Sequence, residues 1–313
     1  MDDGWLAMAA RFFQRHTSVR RTTLKIVCIS DTHNRHAELR LPPGDVLIHA
    51  GDYSMQGHVA ETEGFLAWFA AQPHRHKVFI AGNHDMIFEK RRKKARAMVP
   101  QGVIYLEDEG VTLDGVKFWG SPVTPTFFNW AFNHGPATIG GYWDAIPDDT
   151  DVLITHGPAY GVLDRVLPYG QEVGCPKLRA ALDTRLHPKL HVFGHVHEGY
   201  GQVVNGALTS VNAAFLDHRY LPLNAPVVIT LLSNCWELVP SSYSAGRQLN
   251  AQFTQERIPA EGSLRPGDHR SDLGSLHPTC KAQPLQRLPF CSTFPRCSHS
   301  RLLLACHCSP GRA

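Results

Sequence analysis

No stretch of the 313-residue sequence approaches the roughly 18–20 consecutive apolar residues that a membrane-spanning helix requires. Its apolar runs are short, as at Val227-Val228-Ile229 and Leu231-Leu232, so no membrane partner is expected. Charge of one sign is lacking too. With 31 Lys and Arg against 28 Asp and Glu, the formal charge is +3, too balanced to mark nucleic acid or an anionic surface as a general partner. The chain opens Met-Asp-Asp, without the basic and apolar regions of a secretory signal. No CxxC pair occurs among its 8 cysteines. A disulfide framework for the main body is therefore not expected, and a cytoplasmic location is. No internal repeat is present.

What the sequence has in quantity is histidine, 19 residues. Histidine is the commonest metal ligand and the usual proton shuttle near neutral pH, so its placement matters more than its number. Composition divides the chain in three. Residues 1–23 read as a leader. The stretch 5–21 is Arg-rich and acid-free, compatible with a mitochondrial presequence, although Asp2 and Asp3 favour a simple leader. Residues 24–240 alternate in strand-like and helix-like patterns. Residues 241–313 form a Ser/Pro/Cys-rich tail without apolar periodicity and are expected to be disordered. Cys280, Cys291, Cys297, Cys306 and Cys308 fall there, at spacings of 10, 5, 8 and 1 intervening residues that match no zinc pattern.

Short apolar runs at 24–30, 45–50, 77–81, 151–155 and 190–194 predict strands buried on both faces. Further strands are expected at 103–106, 111–113, 116–120, 208–211 and 227–232. Asp114-Gly115 is a hairpin turn signal between two of them. Helices are expected over 59–71 and 177–186. Strand–helix alternation followed by hairpins predicts an α/β layered fold with mixed sheets. The basic run Lys90–Arg96 reads as a solvated helix face.

Polar residues follow five of these runs. Asp31-Thr32-His33 follows the first and Gly51-Asp52 the second. Gly82-Asn83-His84-Asp85 follows the third, His156-Gly157 the fourth, and His195-Val196-His197 the fifth. Strand C-termini line one edge of a layered α/β sheet, where ligands usually sit. Asp31 with His33, and His195 with His197, are two residues apart, so in an extended backbone each pair reaches into one cavity. Mixed oxygen and nitrogen donors suit two divalent ions such as Mn, Fe or Zn, and a carboxylate such as Asp52 can bridge them. Glycines at 51, 82, 157 and 194 allow tight turns beside the ions.

The order D-x-H, G-D, G-N-H-D, H-G, G-H-x-H resembles the calcineurin-like metallophosphoesterase superfamily. The segments GDVLIHAGD, VFIAGNHD, ITHGPAYG and PKLHVFGHVHEGYG are similar to its branch of metallophosphoesterase-domain proteins. The resemblance covers roughly residues 24–232. It implies a four-layer α/β/β/α sandwich with mixed β-sheets. It implies one ion on Asp31, His33, Asp52 and His197, and a second on Asp52, Asn83, His156 and His195, with manganese favoured. Some relatives carry Gly where this chain has His195, so the ligand set here is complete. It further implies a dinuclear-metal-dependent phosphoric ester hydrolase, most simply a phosphodiesterase acting on a cyclic nucleotide or similar small diester through a metal-bridging hydroxide. His84 would bond the phosphoryl group or protonate the leaving oxygen, and Asp85 would orient that imidazole. The alternative is a catalytically weak scaffold on the same fold. Phe127, Phe128, Trp130 and Phe132 either stack on a nucleobase or pack a loop against the body.

Overall fold

A computed structural model describes residues 23–232 and the backbone of a further strand at 238–240. The expected leader, but for Thr23, and the tail 241–313 lie outside the described residues. Among the described residues there are sixteen strands: β1 (Thr23–Ile29), β2 (Val46–Ala50), β3 (His76–Ile80), β4 (Val103–Tyr105), β5 (Glu109–Leu113), β6 (Val116–Ser121), β7 (Thr124–Pro125), β8 (Asn133–His134), β9 (Val152–Thr155), β10 (Arg165–Val166), β11 (Gln171–Glu172), β12 (Leu190–Phe193), β13 (Gly201–Asn205), β14 (Leu208–Asn212), β15 (Val227–Leu232) and β16 (Leu238–Pro240). Two mixed six-stranded sheets hold most of them, in the orders β16-β15-β1-β2-β3-β4 and β13-β14-β12-β9-β6-β5. In the first, β1 to β4 run parallel and β15 is antiparallel to β1. In the second, β6, β9, β12 and β14 run parallel, and β5 and β13 close the edges antiparallel.

Alternation along the strands builds the layers. Ile26, Cys28, Ile48, Val78 and Ile80 face Phe118, Val152, Ile154, Val192 and Val211 of the opposite sheet. The intervening Val27, Ile29, Leu47 and Phe79 turn outward onto α1 (Val59–Ala70), α2 (Met86–Lys90) and α3 (Arg92–Met98) through Phe65, Leu66, Phe69, Phe88 and Ala95. The far face of the second sheet packs Leu153 against Ile139 and Trp143 of α4 (Ile139–Asp144) and Leu178 of α5 (Pro176–Thr184). Three apolar layers between four structural ones make the expected α/β/β/α sandwich. A helix of α1's 12 residues is marginal alone. Each buried phenyl group of its inner face contributes about 1.5–3 kcal/mol, so docking is what holds it. Glu61 caps it by accepting from His58 N at 2.7 Å.

The expected hairpin is present. Leu113 pairs with Val116, and Asp114 and Gly115 both have positive φ, as a type I′ turn requires. The basic run divides between two helices, with Arg91 outside helical geometry. It is only partly a solvated face. Arg92 and Arg96 both pair with the buried carboxylate of Glu107, and Arg96 also with Glu109.

Candidate metal centre

The parallel strands β1, β2, β3, β9 and β12 bring the polar segments to one edge of the sandwich. There the structure brings together Asp31, His33, Asp52, Asn83, His84, His156, His195 and His197. The extended backbone expected for the two-apart pairs is not what aims them. Asp31, His33, Asp52 and His195 all have left-handed backbone, with φ of 51°, 38°, 56° and 66°. Such geometry is costly for non-glycine residues and persists only where surroundings enforce it. Here the enforcement is a ladder between two turns. Asp31 N donates to Gly51 O, His33 N to Asp52 O and Asn34 N to Tyr53 O, at 3.0, 3.0 and 2.8 Å. A Cβ on Gly194 would lie 1.8 Å from Asp31 Oδ2, and one on Gly82 would lie 2.2 Å from Asp52 Oδ1. Only glycine lets these turns reach the carboxylates. Gly157 is different, since a Cβ there meets nothing closer than 3.4 Å.

The imidazoles share one design. His33 Nδ1 faces Ser54 O, His84 Nδ1 faces Met55 O, His156 Nδ1 faces Ala50 O and His197 Nδ1 faces Asp217 O, all within 2.8–3.1 Å. A carbonyl only accepts, so each Nδ1 carries the proton and each Nε2 is turned to the carboxylates. Asp52 Oδ2 is the hub, 3.3 Å from His156 Nε2 and 3.9 Å from both His33 Nε2 and His84 Nε2. His197 Nε2 lies 3.5 Å from Asp31 Oδ1, and Asn83 Oδ1 lies 2.9 Å from His156 Nε2. His195 donates its backbone N–H to Asp31.

These residues fit a pair of ions. Asp31, His33 and His197 offer donor atoms all within 4.8 Å of one another, and Asp52, His156 and His195 do the same. His33 Nε2, left as a bare lone pair, is buried without a hydrogen-bond partner and faces Asp52 Oδ2. Protonation shows the same demand for positive charge. Burial opposes a charge on His156 and His197, yet the Asp52 and Asp31 carboxylates overcome it and push both up to about 9. Burial also opposes ionisation of Asp31 and Asp52. His197 nonetheless holds Asp31 below the usual carboxylate range, and His156 with His84 does so for Asp52. Burial dominates at His33 and His195, pushed down to about 4. Without an ion, two protons sit where cationic charge is wanted.

His84 is fixed on three sides. Met55 O holds Nδ1, the Trp130 ring stacks on it at 4.1 Å and 26°, and His33 meets it edge-on at 4.7 Å. Asp85 does not orient this imidazole, contrary to the sequence expectation. Its carboxylate turns away and accepts from Gly82 N, Asp52 N, Tyr53 N, Ser54 N and Ser54 Oγ, at 2.6–3.4 Å. The amides of the distant Asp52–Ser54 loop, with that of Gly82, out-compete the neighbouring imidazole because they already converge on the carboxylate. Asp85 thus pins the Asp52 loop from behind. Burial and Asp52 push it up to about 8, while its five donors favour the carboxylate.

Sequence reasoning passed over Tyr220, whose ring lies 5.0 Å from His33 and 5.1 Å from His197. It also passed over His49 and His191, buried inside β2 and β12. A polar residue within an otherwise apolar run was the available signal for both. A depression of about 550 Å³ opens beside His84, lined by Gln56, Met86, Phe127, Phe128, Trp130 and Tyr220. The aromatic segment divides between packing and exposure. Phe132 is buried against the body, whereas Phe127 and Phe128 are 53% and 80% exposed.

Residues 24–199 match the calcineurin-like phosphoesterase family. This chain belongs to that family. Metallophosphoesterase domain-containing protein 1 of Homo sapiens is 39% identical over 231 residues, covering 66% of this chain and 71% of that protein. UPF0046 protein K07C11.7 of Caenorhabditis elegans is 38% identical over 205 residues, covering 61% and 69%. A solved structure with 16% identity aligns over 70% of this chain and 98% of its own length at a TM-score of 0.51, a likeness of fold. Phosphoester bonds are the chemistry for which the family is named, and the clustered Asp and His side chains suit its metal dependence. No helix among the described residues is long and apolar enough to cross a membrane.

Proposed function

We propose that this calcineurin-like phosphoesterase hydrolyses small phosphodiesters, cyclic nucleotides or diesters of similar size, using two divalent ions, with manganese favoured. Asp31, His33, Asp52 and His197 would hold one ion, and Asp52, Asn83, His156 and His195 the other. The ions would supply Lewis-acid polarisation of the phosphoryl group and an activated water. Free, buried Cys28 and Cys175 accord with a cytoplasmic setting.

The chain's own residues do the rest. His84 is held with Nδ1–H on Met55 O, so Nε2 faces the reacting group. Protonated there, it bonds a phosphoryl oxygen or gives its proton to the leaving oxygen, a role worth about 10²–10⁴-fold. Trp130 and Met55 keep that ring from rotating away.

The preference for diesters rests on one observation, aromatic walls on two sides of the carboxylate cluster. Phe127 meets His195 at 6.3 Å and Trp130 stacks on His84, while Tyr220 covers His33 and His197. A monoester carries one substituent to be received and a diester two. Stacking on a flat substituent contributes about 1–3 kcal/mol.

The test is hydrolysis of bis-p-nitrophenyl phosphate against p-nitrophenyl phosphate by protein stripped of metal and reloaded with Mn²⁺. Diester turnover exceeding monoester turnover, and lost in Asp52→Ala and His84→Ala, is the expected result. A folded, metal-loaded protein with no turnover of either ester would contradict the proposal and favour the scaffold reading.

A further inference from the structure

His49 and His191 have no place in the chemistry just described. Each is fully buried, one in each sheet. Each faces a threonine adjacent to candidate ligands, Thr32 in the turn after β1 and Thr155 at the end of β9. His49 Nε2 lies 3.0 Å from Thr32 Oγ1, and His191 Nε2 lies 2.8 Å from Thr155 Oγ1.

The protons follow from the partners. Gly51 N donates to His49 Nδ1 at 3.3 Å, so that nitrogen is bare and Nε2–H donates to Thr32. The Thr155 hydroxyl donates to Gly157 O at 2.7 Å, so His191 Nε2 must donate to it. His191 Nδ1 is then bare, buried and without a partner. An unsatisfied buried acceptor is costly, and an apolar ring of similar size would avoid that cost. The same device thus occurs twice, an imidazole N–H on one strand gripping a threonine hydroxyl at or just past the end of the neighbouring strand. Thr32 stands between Asp31 and His33. The bond from His49, together with the Gly51 amide, ties that turn to the turn carrying Asp52. Thr155 precedes His156, and its hydroxyl passes the grip of His191 on to the carbonyl of Gly157.

We infer that His49 and His191 are positioning residues, each setting the geometry of one ion. His49 would serve the ion on Asp31, His33 and His197, and His191 the ion on Asp52, His156 and His195. The inference rests on the dinuclear reading above. It divides the two halves of the site between two buried clamps, because His49 reaches the threonine between Asp31 and His33 whereas His191 reaches the threonine beside His156.

The test is calorimetric titration of the full chain with Mn²⁺ in two single-site backgrounds. His195→Ala leaves the Asp31/His33/His197 set, and His197→Ala leaves the Asp52/His156/His195 set. Loss of a residue supporting a metal ligand typically weakens affinity 10–100-fold. His49→Phe is expected to do so in the His195→Ala background and to change affinity less than about threefold in the other. His191→Phe is expected to do the reverse. His191→Gln, which keeps a donor near the Nε2 position, is expected to restore most of the affinity. Thr32→Val and Thr155→Val are expected to copy the respective phenylalanine variants, and they carry the test if those variants fail to fold. Combining His191→Phe with Thr155→Val should weaken binding no further than either alone. Equal weakening in both backgrounds, or none in either, overturns the inference while leaving the dinuclear reading intact. An unmodified chain that binds no Mn²⁺ overturns both.

Discussion

Asp85 shows how far the chemistry of a single residue depends on what its neighbours offer. Five donors converge on its carboxylate and no acceptor does, so the group is a staple across the Asp52 and Asn83 turns. Asp85→Asn keeps the shape but sets an amide N–H₂ against some of those donors. It should destabilise the metal-free protein by about 2–4 kcal/mol, because buried donors lose their partner and like poles meet. Urea unfolding measures this, and an unchanged midpoint would show that the staple is dispensable. The clustering of the candidate ligands was legible residue by residue, since aspartate, asparagine and histidine at the ends of apolar runs have few structural reasons to be there, and the structure brings them together. The role of Asp85 was not legible. Adjacency to His84 suggested an interaction, but hydrogen bonding across 30 or more residues decided the outcome.

Elements carry the second lesson. The strands at the centre of each sheet were legible because burial on both faces demands unbroken apolar runs, as in Val46–Ala50 and Val152–Thr155. Helices α2 and α3 were legible only in part. The basic run reads as one helix face but gives no apolar period, and their docking rests on Ile87, Phe88 and Ala95 with Met86 and Met98 packed alongside. β13 was missed for a related reason, since its edge position exposes both Val203 and Val204. On the proposed function, specificity would act through the loop between β7 and β8. Asn133 Nδ2 donates to Phe127 O and Phe128 O, and Phe132 N donates to Glu89 Oε1, fixing its base while the two rings stay exposed. Trp130→Leu frees the His84 ring and should lower kcat about tenfold or more for every ester tested, within the span of general acid–base effects. Phe127→Leu should instead raise KM for aryl diesters and leave kcat within about threefold, as loss of stacking demands. Steady-state kinetics on both variants separates the roles, and a shared KM effect would contradict the separation.

At the scale of the molecule, six histidines in and behind the site make stability depend on pH in two opposed ways. Burial holds His33 and His195 at about 4 and His49 and His191 at about 3 in the folded chain. Their ordinary value when unfolded is about 6.5. A lowered histidine contributes fully above the unfolded value and loses its contribution as pH falls through the folded one. His156 and His197 are raised to about 9 against the cost of burial. Their contribution is complete below about 6.5 and is lost as pH rises through 9. The metal-free chain should therefore be most stable near pH 6.5 and weaken on both sides. With Mn²⁺ bound, the alkaline loss should vanish, because the ions replace the protons on His156 and His197 and stabilise by mass action, about 2.7 kcal/mol at a hundredfold excess over Kd. Urea midpoints at pH 5, 6.5 and 9, with and without Mn²⁺, test this, and midpoints flat across that range without metal would contradict it.

The layered architecture was legible at this scale as well, because strand order need not be known to infer that strand ends share an edge. The meeting of two separate sheets at one edge was beyond the sequence. Asp31 and Asp52 come from one sheet and His156 and His195 from the other, and only the packing between the sheets sets their distances. That junction is where the central claim can be tested most directly. Crystals of the full chain soaked in Mn²⁺ and measured at the manganese absorption edge should show two anomalous peaks about 3.5–4 Å apart, on either side of the Asp52 carboxylate. A single peak, or peaks away from Asp31, Asp52 and His156, would contradict a dinuclear centre.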